Sequence, residues 1–219
     1  MKLILLNDNK FFELILPSKI DGSFWLTDEI TNNNIINIEA QDEKWVMKQN
    51  SDTKIIASNV YVESVEICPN NFYFLENNNK KLILYVENIY DDTIKHYKLN
   101  TNTFTLGKDS SCDIVYNNNF IFNNYLMLSF NNNVWTITIN GNSSVYVNKS
   151  HLKVITTTLN NGDSIFVMGL RITLYNNAIS INNPFNGVQL NNSKFVSEEK
   201  VDRKQDKYYN NFLRNYEGR

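Results

Sequence analysis

The sequence predicts an all-β protein: two tandem β-sandwiches joined by a short linker and followed by a charged C-terminal tail. Three observations predict it. Apolar residues alternate in short runs such as L-M-L-S-F (126–130) and V-W-T-I-T-I (134–139), and no window of residues 2–89 sustains a helical period. Asn clusters at 32–34, 77–79, 117–119 and 131–133 cut those runs; Asn tolerates the left-handed backbone, so it supplies turns in a chain with only seven glycines. Finally, Ile36-x-Ile38, Trp45 and Leu82-Ile83-Leu84-Tyr85 recur 90 positions later as Leu126-x-Leu128, Trp135 and Ile172-Thr173-Leu174-Tyr175, the mark of an internal duplication.

The first repeat, residues 1–90, reads as strands near 2–6, 11–16, 23–26, 35–39, 44–49, 60–67, 72–75 and 81–86. Its join to the second repeat falls at Tyr90-Asp91-Asp92-Thr93, a polar break short enough for the sandwiches to pack as a semi-rigid unit. The second repeat, residues 91–182, runs through F-T-L-G-K-D-S-S-C-D-I-V (104–115), the strands at 126–139, and V-Y-V-N (145–148). It closes on L-N-N-G-D-S-I-F-V-M-G (159–169), and the strand pattern ends at Asn182-Asn183-Pro184. Residues 183–219 mix charges with Phe195, Tyr208, Tyr209, Phe212, Leu213 and Tyr216; within this tail Ser197-Glu198-Glu199 is placed to cap a short helix.

Composition narrows the function. The chain has 219 residues, 42% of them hydrophobic and 13% aromatic, which is ample material for packed cores. A net charge of −2 shows no basic surface for nucleic acid. Cys68 and Cys112 lack C-x-x-C spacing, which argues against zinc and a disulfide framework and for reduced thiols. The N-terminus carries only the short apolar run Leu3–Leu6, not a signal peptide, and no stretch is long and apolar enough to span a membrane. His96 and His151 have no Ser, Cys or carboxylate pattern beside them, and a nucleotide-binding G-x-x-x-x-G-K-[S/T] is missing, so catalysis and cofactors are not expected. Trp45 and Trp135 sit at equivalent repeat positions within apolar strands, which argues for core packing over a carbohydrate platform; of Phe24 and Trp25, one faces outward.

The second repeat resembles forkhead-associated (FHA) domains. Gly107 stands in that family's glycine position, Cys112-Asp113-Ile114 opens the next strand, and Trp135 fills the core aromatic position. Val145-Tyr146-Val147-Asn148 matches its T-Y-V-N strand, and Leu159 to Ile165 matches its Gly-Asp turn, where Asp163 is a structural residue. The family captures phosphothreonine with an Arg guanidinium, a Ser hydroxyl and Asn amides, because a dianion needs several charge-assisted donors at fixed geometry. Here Lys108 replaces the arginine, Phe122 the serine and Tyr125 the histidine, and Ser143-Ser144 stands where Asn-Gly would be. A lysine lacks the bidentate fork and Phe122 donates nothing, so the resemblance implies a scaffold without phosphothreonine recognition. The first repeat departs further, with Thr27 and Asp28 at the Gly-Arg position and Cys68-Pro69-Asn70-Asn71 in place of the Gly-Asp turn.

The resemblance places the binding surface on loop tips formed by Lys108, Asp109, Ser110 and Ser111; by Phe122, Asn123, Asn124 and Tyr125; and by Asn142, Ser143 and Ser144. Phe122 and Tyr125 are candidate exposed anchors, with inward packing of Phe122 the alternative. Lys108 with Ser110 and Ser111 could instead form a residual anion site, the basis of a second reading as a phosphothreonine-peptide-binding signalling adaptor.

Two tandem FHA-like sandwiches ahead of a charged aromatic tail resemble the cytosolic N-terminal part of the EssC family. These are FtsK/SpoIIIE-type membrane ATPases of type VII (WXG100/ESX-like) secretion systems. That resemblance implies a non-catalytic docking module on the cytoplasmic side of the cell membrane. It also implies that the membrane and ATP-binding regions lie outside this chain, and that partners are found among the secretion apparatus, including its pseudokinase-like membrane subunit.

Overall fold

The computed structural model describes residues 1–27, 33–78, 80–88, 94–141, 143–184 and 187–198. The alternating segments become strands. In the first half these are β1 (Lys2–Leu6), β2 (Phe11–Ile15), β3 (Ser23–Thr27), β4 (Asn34–Gln41), β5 (Lys44–Lys48), β6 (Thr53–Ala57), β7 (Val60–Val62), β8 (Ser64–Glu66), β9 (Phe72–Asn77) and β10 (Lys80–Glu87). They form a six-stranded sheet, β2-β1-β10-β9-β6-β7, facing a four-stranded one, β3-β4-β5-β8.

The second half contributes β11 (Lys95–Leu99), β12 (Thr103–Gly107), β13 (Ile114–Tyr116), β14 (Leu126–Asn131), β15 (Val134–Ile139), β16 (Tyr146–Val147), β17 (Ser150–His151), β18 (Thr156–Leu159), β19 (Ser164–Val167), β20 (Leu170–Tyr175), β21 (Ala178–Ile181), β22 (Val188–Leu190) and β23 (Phe195–Glu198). Its sheets run β18-β15-β14-β12-β13-β22 and β17-β16-β19-β20-β21-β11-β23. Within the six-stranded sheet β12 and β13 run parallel.

The two halves repeat one another in register. Gln41 pairs with Lys44 across the β4–β5 turn, and Asn131 pairs with Val134 across the β14–β15 turn. Both two-residue turns have left-handed backbones, at Asp42 (φ 48°) and Glu43 (φ 61°) and at Asn132 (φ 51°) and Asn133 (φ 63°). Two successive positive φ values match the strand twist of a tight hairpin, which is the use expected of Asn. Trp45 and Trp135 are both buried.

Lys2–Leu6 is buried at every position, because β1 lies in a sheet covered on both faces. Leu3, Leu5, Leu84 and Val86 face the core of the first sandwich, whereas Ile4, Leu6, Phe11 and Tyr85 face outward into a core shared with the second half. There Phe11 lies 5.0 Å from Phe166 and 5.6 Å from Tyr146, and Phe120 lies 5.0 Å from Phe72. Main-chain bonds add to the apolar contact: Phe11 N–H donates to the Lys149 carbonyl (2.9 Å) and His151 N–H to that of Asn9 (2.6 Å). An ionic cluster of Lys2, Glu13 and Glu87 from the first half with Lys149 and Arg171 from the second crosses the same boundary. The sandwiches are therefore packed into one unit, not strung on the linker.

The structure corrects the reading of the chain past Ile181. Val188–Leu190 pairs with β13 and Phe195–Glu198 with β11, so Ser197 and Glu198 belong to a strand, not to the start of a helix. The physical reason is that β11 and β13 would otherwise be open edges, and Phe195 is buried 5.3 Å from Phe104. Glu199, Tyr208, Tyr209, Phe212, Leu213 and Tyr216 lie outside the described residues.

Candidate functional site

The three loops singled out in the sequence meet at one end of the second sandwich. Gly107 ends β12, and a Cβ there would stand 1.9 Å from the Asn123 carbonyl oxygen; only glycine lets the 121–125 loop lie across it. Lys108 N–H donates to the Phe122 carbonyl (2.9 Å) and Asp109 N–H to that of Asn123 (3.1 Å). The Cys112 thiol is buried against the same loop, 3.2 Å from the Asn123 carbonyl oxygen and 3.3 Å from Asn124 Oδ1.

The third loop is fastened from the other side. Asn140 Nδ2 donates to the Asn124 carbonyl (2.9 Å), the Ser143 hydroxyl to that of Tyr125 (3.1 Å), and the Tyr125 hydroxyl to that of Ser144 (3.1 Å). Cys112 and Asn140 thus belong to the site's frame: the sequence marked Cys112 only as the start of the next strand, and Asn140 left no signal there. Asn142 lies outside the described residues.

The two aromatic candidates part company here. Phe122 is 57% exposed, so its inward-packing alternative does not hold, whereas Tyr125 is only 1% exposed and is corrected from surface anchor to floor. Phe122 stacks over it, with ring centres 5.8 Å apart at 29°. Burial pushes the Tyr125 phenol up to about 12, so it stays neutral across physiological pH. The result is a shallow open depression lined by Ile121, Phe122, Asn123, Asn124 and Asn140.

An anion finds few donors at these tips. The Lys108, Asp109 and Cys112 amides bond backbone carbonyls, and the Ser111 amide bonds the Asp109 carboxylate at 2.8 Å. That bond holds the Asp109 carboxyl below its ordinary pKa and fixes a negative charge beside Lys108. Exposed donors remaining among the described residues include Lys108 and the Ser110 hydroxyl, whereas the Ser111 hydroxyl, like its amide, bonds the Asp109 carboxylate.

Other sequence candidates resolve as structure. Asp163 accepts from Asn160 N–H (2.8 Å) and Asn148 Nδ2 (2.7 Å), as a turn aspartate does. Of the tryptophans only Trp25 reaches solvent, so the rings form no shared platform. Among the described residues no helix is long and apolar enough to cross a membrane, and no cluster of His, Cys, Asp and Glu is suited to a metal.

Comparison with known proteins agrees with this fold. Residues 104–168 match the FHA domain family. The chain is similar in structure to the N-terminal FHA domain from EssC, a component of the bacterial type VII secretion apparatus. The TM-score is 0.62 at 12% identity, covering 91% of this chain and 98% of that one. More distant likenesses include the FhaA FHA domain complexed with the intracellular domain of Rv3910, with TM-score 0.29, 13% identity and 44% and 99% coverage. Another is the N-terminal FHA domain of S. cerevisiae Rad53p in complex with a phosphothreonine peptide, with TM-score 0.28, 10% identity and 65% and 95% coverage. No curated protein matches the chain.

Proposed function

We propose that this chain is a protein-docking module that works without phosphothreonine. In this reading it is the N-terminal, cytoplasmic-side part of a type VII secretion membrane ATPase and helps to assemble that apparatus. FHA domains are non-catalytic modules that bind protein partners, and the fold likeness to the EssC domain supports the placement. The observation that carries the proposal is the state of the loop tips: most main-chain amides of 108–112 are already bonded, Asp109 adds a fixed anion, and the Tyr125 and Ser143 hydroxyls are tied to carbonyls. What remains for a partner is the Phe122 ring on a rigid floor, ringed by neutral asparagine side chains. An aromatic anchor of this kind suits an apolar pocket on a protein surface. The resemblance set out above makes the pseudokinase-like membrane subunit of the same apparatus the first partner to try.

The test is a titration of the 219-residue chain with phosphothreonine peptides, with their unphosphorylated twins, and with the cytosolic region of that subunit. The expected result is no gain from phosphate, and binding of the subunit that Phe122→Ala weakens by about tenfold or more. A phosphate-dependent gain of about tenfold, abolished by Lys108→Ala, overturns the proposal in favour of a phosphopeptide-binding adaptor.

A further inference from the structure

Asparagine is a thermolabile residue, and most so before glycine, which has no Cβ to keep its own main-chain nitrogen away from the preceding carboxamide. The chain holds three such pairs: Asn140-Gly141, Asn161-Gly162 and Asn186-Gly187. For the glycine nitrogen to attack, it needs open space around it and an N–H free to lose its proton. Gly187 has neither: its N–H donates to the Pro184 carbonyl (3.0 Å), and a Cβ there would lie 3.4 Å from the Asn117 and Pro184 carbonyl oxygens. Gly162 has the space, but its N–H donates to the Leu174 carbonyl at 2.7 Å.

Gly141 meets both conditions. It is exposed, no atom beyond the neighbouring residues lies within 4 Å of where its Cβ would stand, and its N–H has no partner among the described residues. The peptide group it belongs to is also polarised. The Ser143 hydroxyl lies against the Asn140 carbonyl as well as that of Tyr125, and a donor on a peptide oxygen makes the N–H of the same group more acidic. The Asn140 carboxamide is itself exposed, and its bond to the Asn124 carbonyl (2.9 Å) is the weak, solvent-competed kind that opens readily.

We propose that Asn140 is a self-modification site at which the chain deamidates its own docking surface. The Gly141 nitrogen attacks Asn140 Cγ; the new C–N bond forms as the carboxamide nitrogen leaves as ammonia, and water then opens the succinimide to aspartate or isoaspartate. One water enters and one ammonia departs, with no change of oxidation state. Either product removes the donor that fastens the Asn124 carbonyl and sets a carboxylate on a rim that was neutral. Isoaspartate also adds a carbon to the main chain between β15 and Ser143. The functional consequence rests on the docking role proposed above: the loop that presents Phe122 loses a fastening, and the surface is retired as the protein ages.

Peptide mapping by mass spectrometry tests the chemistry, with the full chain held at mildly alkaline pH either folded or unfolded in urea. Comparing each pair with itself in urea cancels the effect of its sequence neighbours. Folding is expected to slow Asn161 and Asn186 by about tenfold or more and Asn140 by less than about threefold. The product at position 140 accepts a methyl group from an isoaspartyl methyltransferase, and Asn140→Gln, whose longer side chain closes the ring poorly, abolishes that label. Asn140→Asp supplies one product directly: its NMR amide shifts are expected to concentrate at 121–125, and its binding in the docking titration to weaken by about tenfold. Protection of Asn140 as strong as that of the other two pairs, or an Asn140→Asp spectrum unchanged at 121–125, overturns the proposal. Conversion and loop shifts with binding undiminished support the modification and count against the docking role of this surface.

Discussion

Arg171→Met tests how the two sandwiches are held together. The guanidinium lies 3.1 Å from Glu13 and 3.5 Å from Glu87, and packs over the rings of Phe11 and Phe166 at 5.9 and 5.4 Å. Glu13 also meets Lys2 at 3.2 Å and Lys149 at 2.6 Å. Burial by itself raises the Glu13 pKa, but Lys2, Arg171 and Lys149 outweigh it and bring it down to about 2. Buried Glu87 is likewise held low, by Arg171 and Lys2 against the same burial. A depressed carboxylate contributes stability that is complete above its unfolded value and is lost as pH falls toward the folded one. For Glu13 that window runs from 4.5 down to about 2 and corresponds to about 3 kcal/mol.

Methionine keeps part of the apolar stem yet, among the described residues, leaves Glu87 with Lys2 and Glu13 with Lys2 and Lys149. The expected loss at neutral pH is about 3 kcal/mol, the lower end for breaking a buried pair because other cations remain. Urea unfolding of both chains from neutral pH down to about pH 2 reads it, and the gap between them narrows as the carboxyls take up protons. A gap that stays constant over that range, or a neutral-pH loss below about 1 kcal/mol, would refute the assignment of this cluster as the charged clasp between the halves.

Three further outcomes follow from the same geometry. Gly107→Ala drives a methyl into the Asn123 carbonyl and is expected to cost about 2 kcal/mol or more, with amide shifts concentrated at 121–125 in NMR spectra. Tyr125→Phe removes the bond to the Ser144 carbonyl and is expected to cost about 1 kcal/mol in chemical denaturation; burial holds this phenol neutral up to about pH 12, which ultraviolet titration of the wild type against the variant checks. Asn133→Ala removes the short polar side chain that lets this position hold φ 63° in the β14–β15 turn and is expected to lower stability by about 1 kcal/mol, while Asn133→Gly is expected to be nearly neutral in thermal melts.

Fold class was legible because alternation and Asn turns are local signals that each strand carries by itself, and the 90-residue offset can be read by laying one half of the sequence on the other. Even the short run Leu3–Leu6 was informative in hindsight, since a strand covered on both faces loses its alternation. What covers it was not legible: the contacts of Phe11 with Phe166 and of Glu13 with Arg171 join residues far apart in sequence, and no spacing rule links them. The strands at Val188–Leu190 and Phe195–Glu198 were missed for a related reason. They are only three and four residues long and set among asparagines and charged residues that read as tail, and only the open edges of β11 and β13 recruit them. At the loop tips the sequence placed the residues at one end of the sandwich but not their directions; burial separates Phe122 from Tyr125, and burial is tertiary.

The double-faced sheet gives the first sandwich a part in the site although it supplies none of the site's residues. The segment from Tyr116 to Tyr125 leaves the interface before it reaches the tips. Phe120 is held between Phe72 and Phe74 of the first half, at 5.0 and 5.5 Å, and Tyr116 bonds the Met168 carbonyl at 2.6 Å beside Tyr85. Two residues beyond Phe120 the chain turns Phe122 to solvent, and the Gly107 and Cys112 contacts secure the far end. A loop clamped at both ends has lost most of its conformational freedom before any partner arrives, so less ordering cost is set against the binding energy of its one exposed ring. The first sandwich therefore acts on the site through its packing face, which is what holds the neighbouring loop in shape.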